Sequence, residues 1–136
     1  MESNKLTPNQ EKAITLSGKN ILVSASAGSG KTFVMIERII RLILEEGVGV
    51  ENILAVTFTK LAASEMKQKL VKAVTENINK GKDVARLKRT LAEIPTADIS
   101  TIHSFCLNLL KTYFYAANVD PNFGIAEDTK IMMKNF

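Results

Sequence analysis

Short continuous apolar runs alternate along this chain with longer stretches of helical period, and Gly or Pro marks most of the junctions. Thr7-Pro8-Asn9-Gln10 puts an N-cap residue, a helix-opening proline and a third-position glutamine in the order of a capping box, so a helix starts there. It runs to about Leu16, and Gly18 ends it. NILVS over 20–24 is a short apolar run between turn signals and reads as a buried strand. From Thr32 to about Glu46 the period is helical, with Glu37, Arg38, Arg41 and Glu45 as one polar stripe on an otherwise apolar cylinder, the pattern of a helix buried on most sides. Gly47 and Gly49 break it, and NILAVT over 52–57 forms a second apolar strand. Strand, helix and strand make a βαβ unit, with parallel strands and a right-handed crossover. Helix follows from about Lys60 to Asn79, with Ala62, Met66, Leu70 and Ala73/Val74 along one side. Gly81 follows, then a second helical piece to about Glu93, and Pro95 stops it. DIST over 98–101 is a third short strand, and Ile102 to about Ala117 is an apolar helix. A turn at Asp120-Pro121 follows, with no further complete element. The fold class expected is α/β.

Composition sets the scale. The chain has 136 residues, 46% hydrophobic and 24% charged, which suits one domain with a small core. No apolar run reaches the roughly 18 to 20 residues that span a bilayer, and the N-terminus lacks the basic and apolar regions of a secretory signal. A soluble, cytoplasmic protein with no membrane partner is expected. Cys106 is the sole cysteine and His103 the sole histidine, too few for an internal disulfide or a structural zinc site. The net charge of +4 is unevenly spread, since Lys60 to Arg89 holds nine basic residues against three acidic ones. Such a segment is either a polyanion-binding surface or a solvated, lysine-studded helix face, and charge alone leaves both open.

Candidate chemistry centres on SASAGSGKT, residues 24 to 32. Ala25 to Thr32 reads A-x-x-x-x-G-K-T, the phosphate-loop pattern with Ala in place of the first Gly, set between an expected strand and an expected helix. Gly28 and Gly30 permit backbone conformations closed to side chains, so the N–H groups of Ser26, Ala27, Gly28, Ser29 and Gly30 can turn inward on phosphate oxygens. The helix beginning near Lys31 adds its positive dipole end. Lys31 would reach the β and γ phosphates, and the Thr32 hydroxyl would ligate Mg²⁺. Hydrolysis also needs an acid at the end of another strand, and no apolar run here ends in one. The nearest candidate, Gly124-Ile125-Ala126-Glu127-Asp128, has only two apolar residues before its acids. From its residues alone, then, the chain binds a nucleoside triphosphate and lacks the parts to turn it over.

Four blocks, LTPNQEKAI, ILVSASAGSGKT, ILAVTFTKLAASEMKQKL and ISTIHSFC, carry a resemblance to superfamily-one helicases of the UvrD/PcrA/RecB type. Within that group the chain most resembles the AddA-type subunits of bacterial helicase-nucleases, through its Ser/Ala-rich loop, its basic helical stretch and the ending YFYAANVDPNFGIAEDTK. The resemblance implies a P-loop NTPase fold with a RecA-like parallel sheet flanked by helices, and ATP and Mg²⁺ as cofactors. It assigns Lys31 and Thr32 to catalysis and Gln10 to the adenine edge, although Gln10 also fits the capping box and one amide does not easily serve both. Phe58, Thr59 and Lys60 fall in a block that contacts single-stranded DNA, with a core role for Phe58 and an N-cap role for Thr59 as alternatives. Thr101, His103 and Ser104 match a further DNA-contacting block, or else a helix start. Lys60-Leu61 stands where Asn-Lys is usual and Lys69 where Arg is common, changes that keep phosphate attraction but lose bidentate geometry at Lys69.

On this resemblance, residues 1–136 are the N-terminal nucleotide-binding part of an incomplete first motor domain, with the remaining motor and nuclease domains absent. The parent expected is a subunit of an ATP-dependent DNA helicase/exonuclease that works on single- and double-stranded DNA in break repair and recombination, paired with a second, AddB-like subunit. The fragment alone is expected to be inactive. A UvrD/PcrA-like helicase without a nuclease, and a P-loop binding module that does not hydrolyse, are the rival readings.

Overall fold

The computed structural model describes residues 6–26, 28, 30–120 and 122–123, and the chain divides into two compact units, Met1–Ile102 and His103–Phe136.

In the first unit, helix α1 (Pro8–Thr15) opens with the capping box that its sequence spells. The Thr7 hydroxyl accepts from the Gln10 N–H, and the Gln10 side chain accepts from the Thr7 N–H. Helix α2 (Lys31–Leu44) buries Ile36, Ile39, Ile40 and Ile43, the i, i+3, i+4, i+7 spacing that puts one apolar face on a core. A single 3-10 turn over Val50–Asn52 leads to strand β1 (Ala55–Thr57). Helix α3 (Lys60–Asn79) is capped by Thr59, whose hydroxyl accepts from the Ala62 N–H at 3.1 Å. Helix α4 (Val84–Glu93) is capped by Asp83. A 3-10 turn at Ile94–Thr96 carries Pro95, and strand β2 (Ile99–Thr101) follows.

β1 and β2 pair in parallel, with Ala55 opposite Ile99 and Thr57 opposite Thr101, and α3 and α4 form the crossover between them. One core joins α2, α3, α4 and the sheet through Ile43, Val50, Leu70, Val74, Leu87, Ile94 and Ile99. Polar links cross its rim: Arg86 donates to the Ile43 carbonyl at 3.0 Å and Lys67 to the Pro95 carbonyl at 3.0 Å. Arg86 thereby places a cation on the carboxyl end of α2, where the helix dipole favours it.

Three expectations are corrected. Residues 20–26 form no strand, and Leu22 stands 97% exposed. A buried strand needs neighbours to satisfy its N–H and C=O groups, and among the described residues the sheet holds only β1 and β2. The parallel βαβ unit is therefore β1, α3, α4 and β2 rather than one built on residues 20–24. Along α3 the buried stripe is Ala63, Met66, Leu70, Val74 and Asn77, so Ala63 rather than Ala62 faces the core; both are alanines, and the 3,4 spacing to Met66 and Leu70 selects Ala63.

The second unit begins with most of helix α5 (Ile102–Thr112), which buries none of its residues and stops five short of Ala117. Turns follow, with Asn118 in the left-handed region at φ 53°, a conformation that asparagine tolerates and that ends a helix. The expected turn at 120–121 is marked by the Asn122 N–H donating to Asp120 Oδ1 at 2.7 Å. Pro121 and the acids Glu127 and Asp128 lie outside the described residues.

The core makes a simple contrast. Leu70 is fully buried whereas Leu61, on the same helix, is 70% exposed. Leu70→Ala should cost about 2–5 kcal/mol in urea unfolding, and Leu61→Ala within about 0.5 kcal/mol; equal losses would contradict the packing described.

Candidate nucleotide-binding site

Gly30 is the residue before α2 and sits at φ 81°, and Gly28 sits at φ 77°. Both angles lie in the left-handed region, open to Gly without the penalty a Cβ brings. No side chain caps the start of α2, so its first N–H groups and the positive end of its dipole are presented to the loop, the arrangement that binds anions. The Lys31 ammonium curls back over that loop, donating to the Ala25 carbonyl at 2.7 Å and to the Ser26 carbonyl at 3.0 Å. Thr32 is half-buried in the first turn of α2. Ala27 and Ser29, expected to cradle phosphate with Ser26, Gly28 and Gly30, lie outside the described residues.

α1 supplies the opposite wall. The capping box fixes the Gln10 amide, whose Oε1 accepts from the Thr7 N–H at 2.9 Å. The Nε2 end is turned toward the loop, 3.4 Å from where a Cβ on Gly30 would stand. Between α1, residues 21–25 and the start of α2 lies a cavity of about 680 Å³, lined by apolar Ala13, Ile21, Val23, Val34 and Met35 and by polar Thr7, Asn9, Gln10, Ser24, Lys31 and Arg38. A mostly apolar cleft of this size with a few convergent polar groups suits a small-molecule ligand. Its charged members are two cations with no carboxylate among the lining residues, which favours an anionic ligand. An apolar flank running from the loop to an amide edge matches a planar base joined to a phosphate chain.

Two arginines that sequence reading placed only on a polar stripe hold this wall in place. Arg38 donates to the Ala13 carbonyl at 2.8 Å and to the Ile14 carbonyl at 3.3 Å, and Arg41 donates to the same Ile14 carbonyl at 3.3 Å. Their guanidinium groups meet the carboxyl end of α1, where a helix leaves carbonyls unsatisfied. Arginines three residues apart on a buried helix were the available signal, but spacing within α2 carries no information about which element they would reach.

Thr32 is the residue fitted to Mg²⁺. One hydroxyl suffices for an ion that keeps several waters and draws its other ligands from the phosphates. Among the described residues no three His, Cys, Asp or Glu side chains converge on a metal-sized site, so the fit extends to an ion arriving with the triphosphate and not to one held by the protein alone.

The residues expected to meet DNA are distributed unequally. Phe58, just beyond β1, is 97% exposed, which removes the core alternative for it. Thr59 occupies the cap of α3 with its hydroxyl accepting from Ala62, and the Thr57 hydroxyl donates to the Thr59 carbonyl at 2.9 Å. Lys60 is exposed at the first position of α3. Thr101 is 7% exposed within β2, opposite Thr57, and offers little surface. His103 is exposed and Ser104 half-buried in the first turn of α5, in the second unit. On α4, the hydrogen bond that Arg89 donates to Glu93, then the charge of Glu93 and then that of Glu51 raise the pKa of the fully exposed Arg89 guanidinium above its ordinary value. That group stays cationic throughout, and the Glu93 pair at 2.8 Å occupies part of the basic surface.

Residues 6–135 match the family described as the UvrD/REP helicase N-terminal domain. Three relatives, each named as a subunit of an ATP-dependent helicase/nuclease, are similar to the chain. The one from Lactobacillus delbrueckii subsp. bulgaricus is 46% identical over 127 residues, covering 91% of this chain and 10% of the relative. That from Ligilactobacillus salivarius is 44% identical over 133 residues, 95% of this chain and 11% of the relative. That from Geobacillus kaustophilus is 46% identical over 127 residues, 92% and 10%. The chain thus spans about a tenth of the length of the curated relatives it matches.

The closeness of Gly30 to Gln10 gives a test of the site's geometry. Gly28 has nothing within 4 Å of an added Cβ, so Gly28→Ala should cost about 1–2 kcal/mol from backbone strain alone. Gly30→Ala carries the same strain and in addition brings its methyl group into contact with Gln10 Nε2 at 3.4 Å, so the Gln10 side-chain amide resonances should shift in this variant and hold still in Gly28→Ala. Unmoved resonances in both would contradict the placement of α1 beside the loop.

Proposed function

The chain belongs to the UvrD/REP helicase N-terminal domain family, and from that premise we propose that it binds ATP in the cavity between α1 and α2. The observation that carries the reading is the join of loop and helix: two glycines at positive φ and a lysine folded over the loop, opening on a cationic, apolar-flanked cavity. The phosphates lie at the amino end of α2, with the Lys31 ammonium exchanging the Ala25 and Ser26 carbonyls for β and γ oxygens. The base lies along Ala13, Ile21 and Val23 toward Gln10. Thr32 would hold a Mg²⁺ bound with the triphosphate, and that ion would supply neutralisation of phosphate charge.

For the whole protein we propose one subunit of an ATP-dependent DNA helicase/nuclease, working with a second, AddB-like subunit in double-strand-break repair and recombination. The names of the relatives support this reading. Phe58, Thr59 and Lys60 form the proposed contact with single-stranded DNA: an exposed ring stacks on a base, and a capped helix start with a lysine meets the backbone. Thr101, His103 and Ser104 are proposed as a further contact, with Thr101 acting through its place in the strand.

Lys31→Ala should weaken ATP binding about 10- to 100-fold, the loss of charge-assisted hydrogen bonds, in isothermal titration; unchanged affinity would remove the proposal. The 136-residue chain should bind ATP without measurable turnover, because no carboxylate is among the described residues that line the cavity. ATPase activity that Lys31→Ala abolishes would contradict that.

Phe58→Ala should cost about 1–3 kcal/mol in affinity for a fluorescent single-stranded oligonucleotide. The residual binding should fall steeply with salt. An affinity indifferent to both the ring and the salt would count against this surface as the DNA contact.

A further inference from the structure

We infer that Arg41 is a positioning residue for the nucleotide base, acting through α1 rather than on the ligand; the inference rests on the nucleotide-binding reading above. α1 is eight residues long and buries only Ala13 and Ile14. An isolated helix of that length is marginal in water, and burial of Ile14 with one alanine is its main apolar anchor. Its seat on α2 therefore depends on the polar clamp at its carboxyl end. Arg38 and Arg41 both donate to the Ile14 carbonyl at 3.3 Å, but only Arg38 also lines the cavity. Arg41 stands outside the lining, and its guanidinium is oriented from behind by Glu45 at 2.8 Å and Glu46 at 3.2 Å, both at the carboxyl end of α2. The geometry is a strut. Carboxylates on α2 aim a guanidinium at the end of α1, and α1 carries Gln10 at its other end toward Gly30. With the strut removed, α1 pivots on its remaining contacts and Gln10 leaves its place beside the loop. At the phosphate end, the two hydrogen bonds that fold Lys31 over the loop, to the Ala25 and Ser26 carbonyls, involve no residue of α1.

This separation makes the role measurable. In titrations of the 136-residue chain, Arg41→Met should weaken ATP binding about tenfold, as expected for losing one hydrogen bond to a charged group. Its affinity for inorganic tripolyphosphate should remain that of the parent, and its preference for ATP over GTP should fall. Equal losses for ATP and tripolyphosphate would reduce Arg41 to a general stabiliser and overturn the inference, as would an unchanged ATP affinity. Should Arg41→Met fail to fold, the comparison moves to Arg41→Lys, which keeps a cation at the α1 terminus but not all three contacts. There the ATP loss should be about threefold, roughly half the free energy, with the same split between ligands. Lys31→Ala separates this inference from its premise: it should weaken both ligands, and if it weakens neither, the binding reading itself falls whatever Arg41 does.

Discussion

Burial of one face of α2 is the constraint on which the other features rest. Ile36, Ile39, Ile40 and Ile43 all point into the same core, and branched side chains on one face leave a helix little freedom to roll or slide against its neighbours. The amino end of that helix is the floor of the phosphate loop, and its polar stripe carries the arginines that seat α1. Its carboxyl end is closed by Arg86 from α4. The Lys31 ammonium ties the described loop residues Ala25 and Ser26 to the first residue of α2. Displacing α2 by one rotamer's worth of packing would move Lys31, Thr32 and the α1 wall together.

The parts of this arrangement that were legible in the sequence are those decided locally. Thr7 to Gln10 spelled its capping box, and α3 was readable from Lys60 to Asn79. What could not be read depends on partners far along the chain. NILVS has the composition of a strand, yet composition names no neighbour, and the segment is unpaired among the described residues. The polar stripe on α2 was visible, but that Arg38 and Arg41 turn it toward α1 depends on backbone carbonyls, which every residue possesses and no pattern distinguishes. Phe58 was ambiguous for a related reason: a strand-end aromatic is buried or exposed according to what lies opposite it.

Gln10 illustrates how a local rule and a functional one can coincide in one side chain. Capping and base recognition looked like competing uses of the same amide, since one oxygen cannot serve two distant donors well. In the structure the cap consumes the Oε1 side and, by doing so, directs Nε2 toward Gly30. The cap is therefore the device that orients the amide, in the way that a hydrogen bond to one nitrogen of a histidine fixes what the other can do. A substitution at Thr7 would be felt as lost helix stability and as lost orientation of Gln10 together.

The distribution of charge around the cavity carries the separation between holding a nucleotide and consuming it. Lys31 and Arg38 are its charged lining, and the acids nearest in sequence to α1 and α2, Glu11, Glu37, Glu45 and Glu46, are not among the lining residues. A site of that kind favours a polyanion, and none of its described lining residues is a carboxylate that could orient an attacking water. Tight binding of substrate and transition state alike raises affinity without raising turnover. Lys31 sharpens the point, because its two carbonyl partners at 2.7 and 3.0 Å are neutral. Exchanging them for phosphate oxygens replaces neutral acceptors with charged ones, roughly doubling the strength of each hydrogen bond. In the proposed site the driving force for that exchange is felt at capture of the phosphates, before any chemistry.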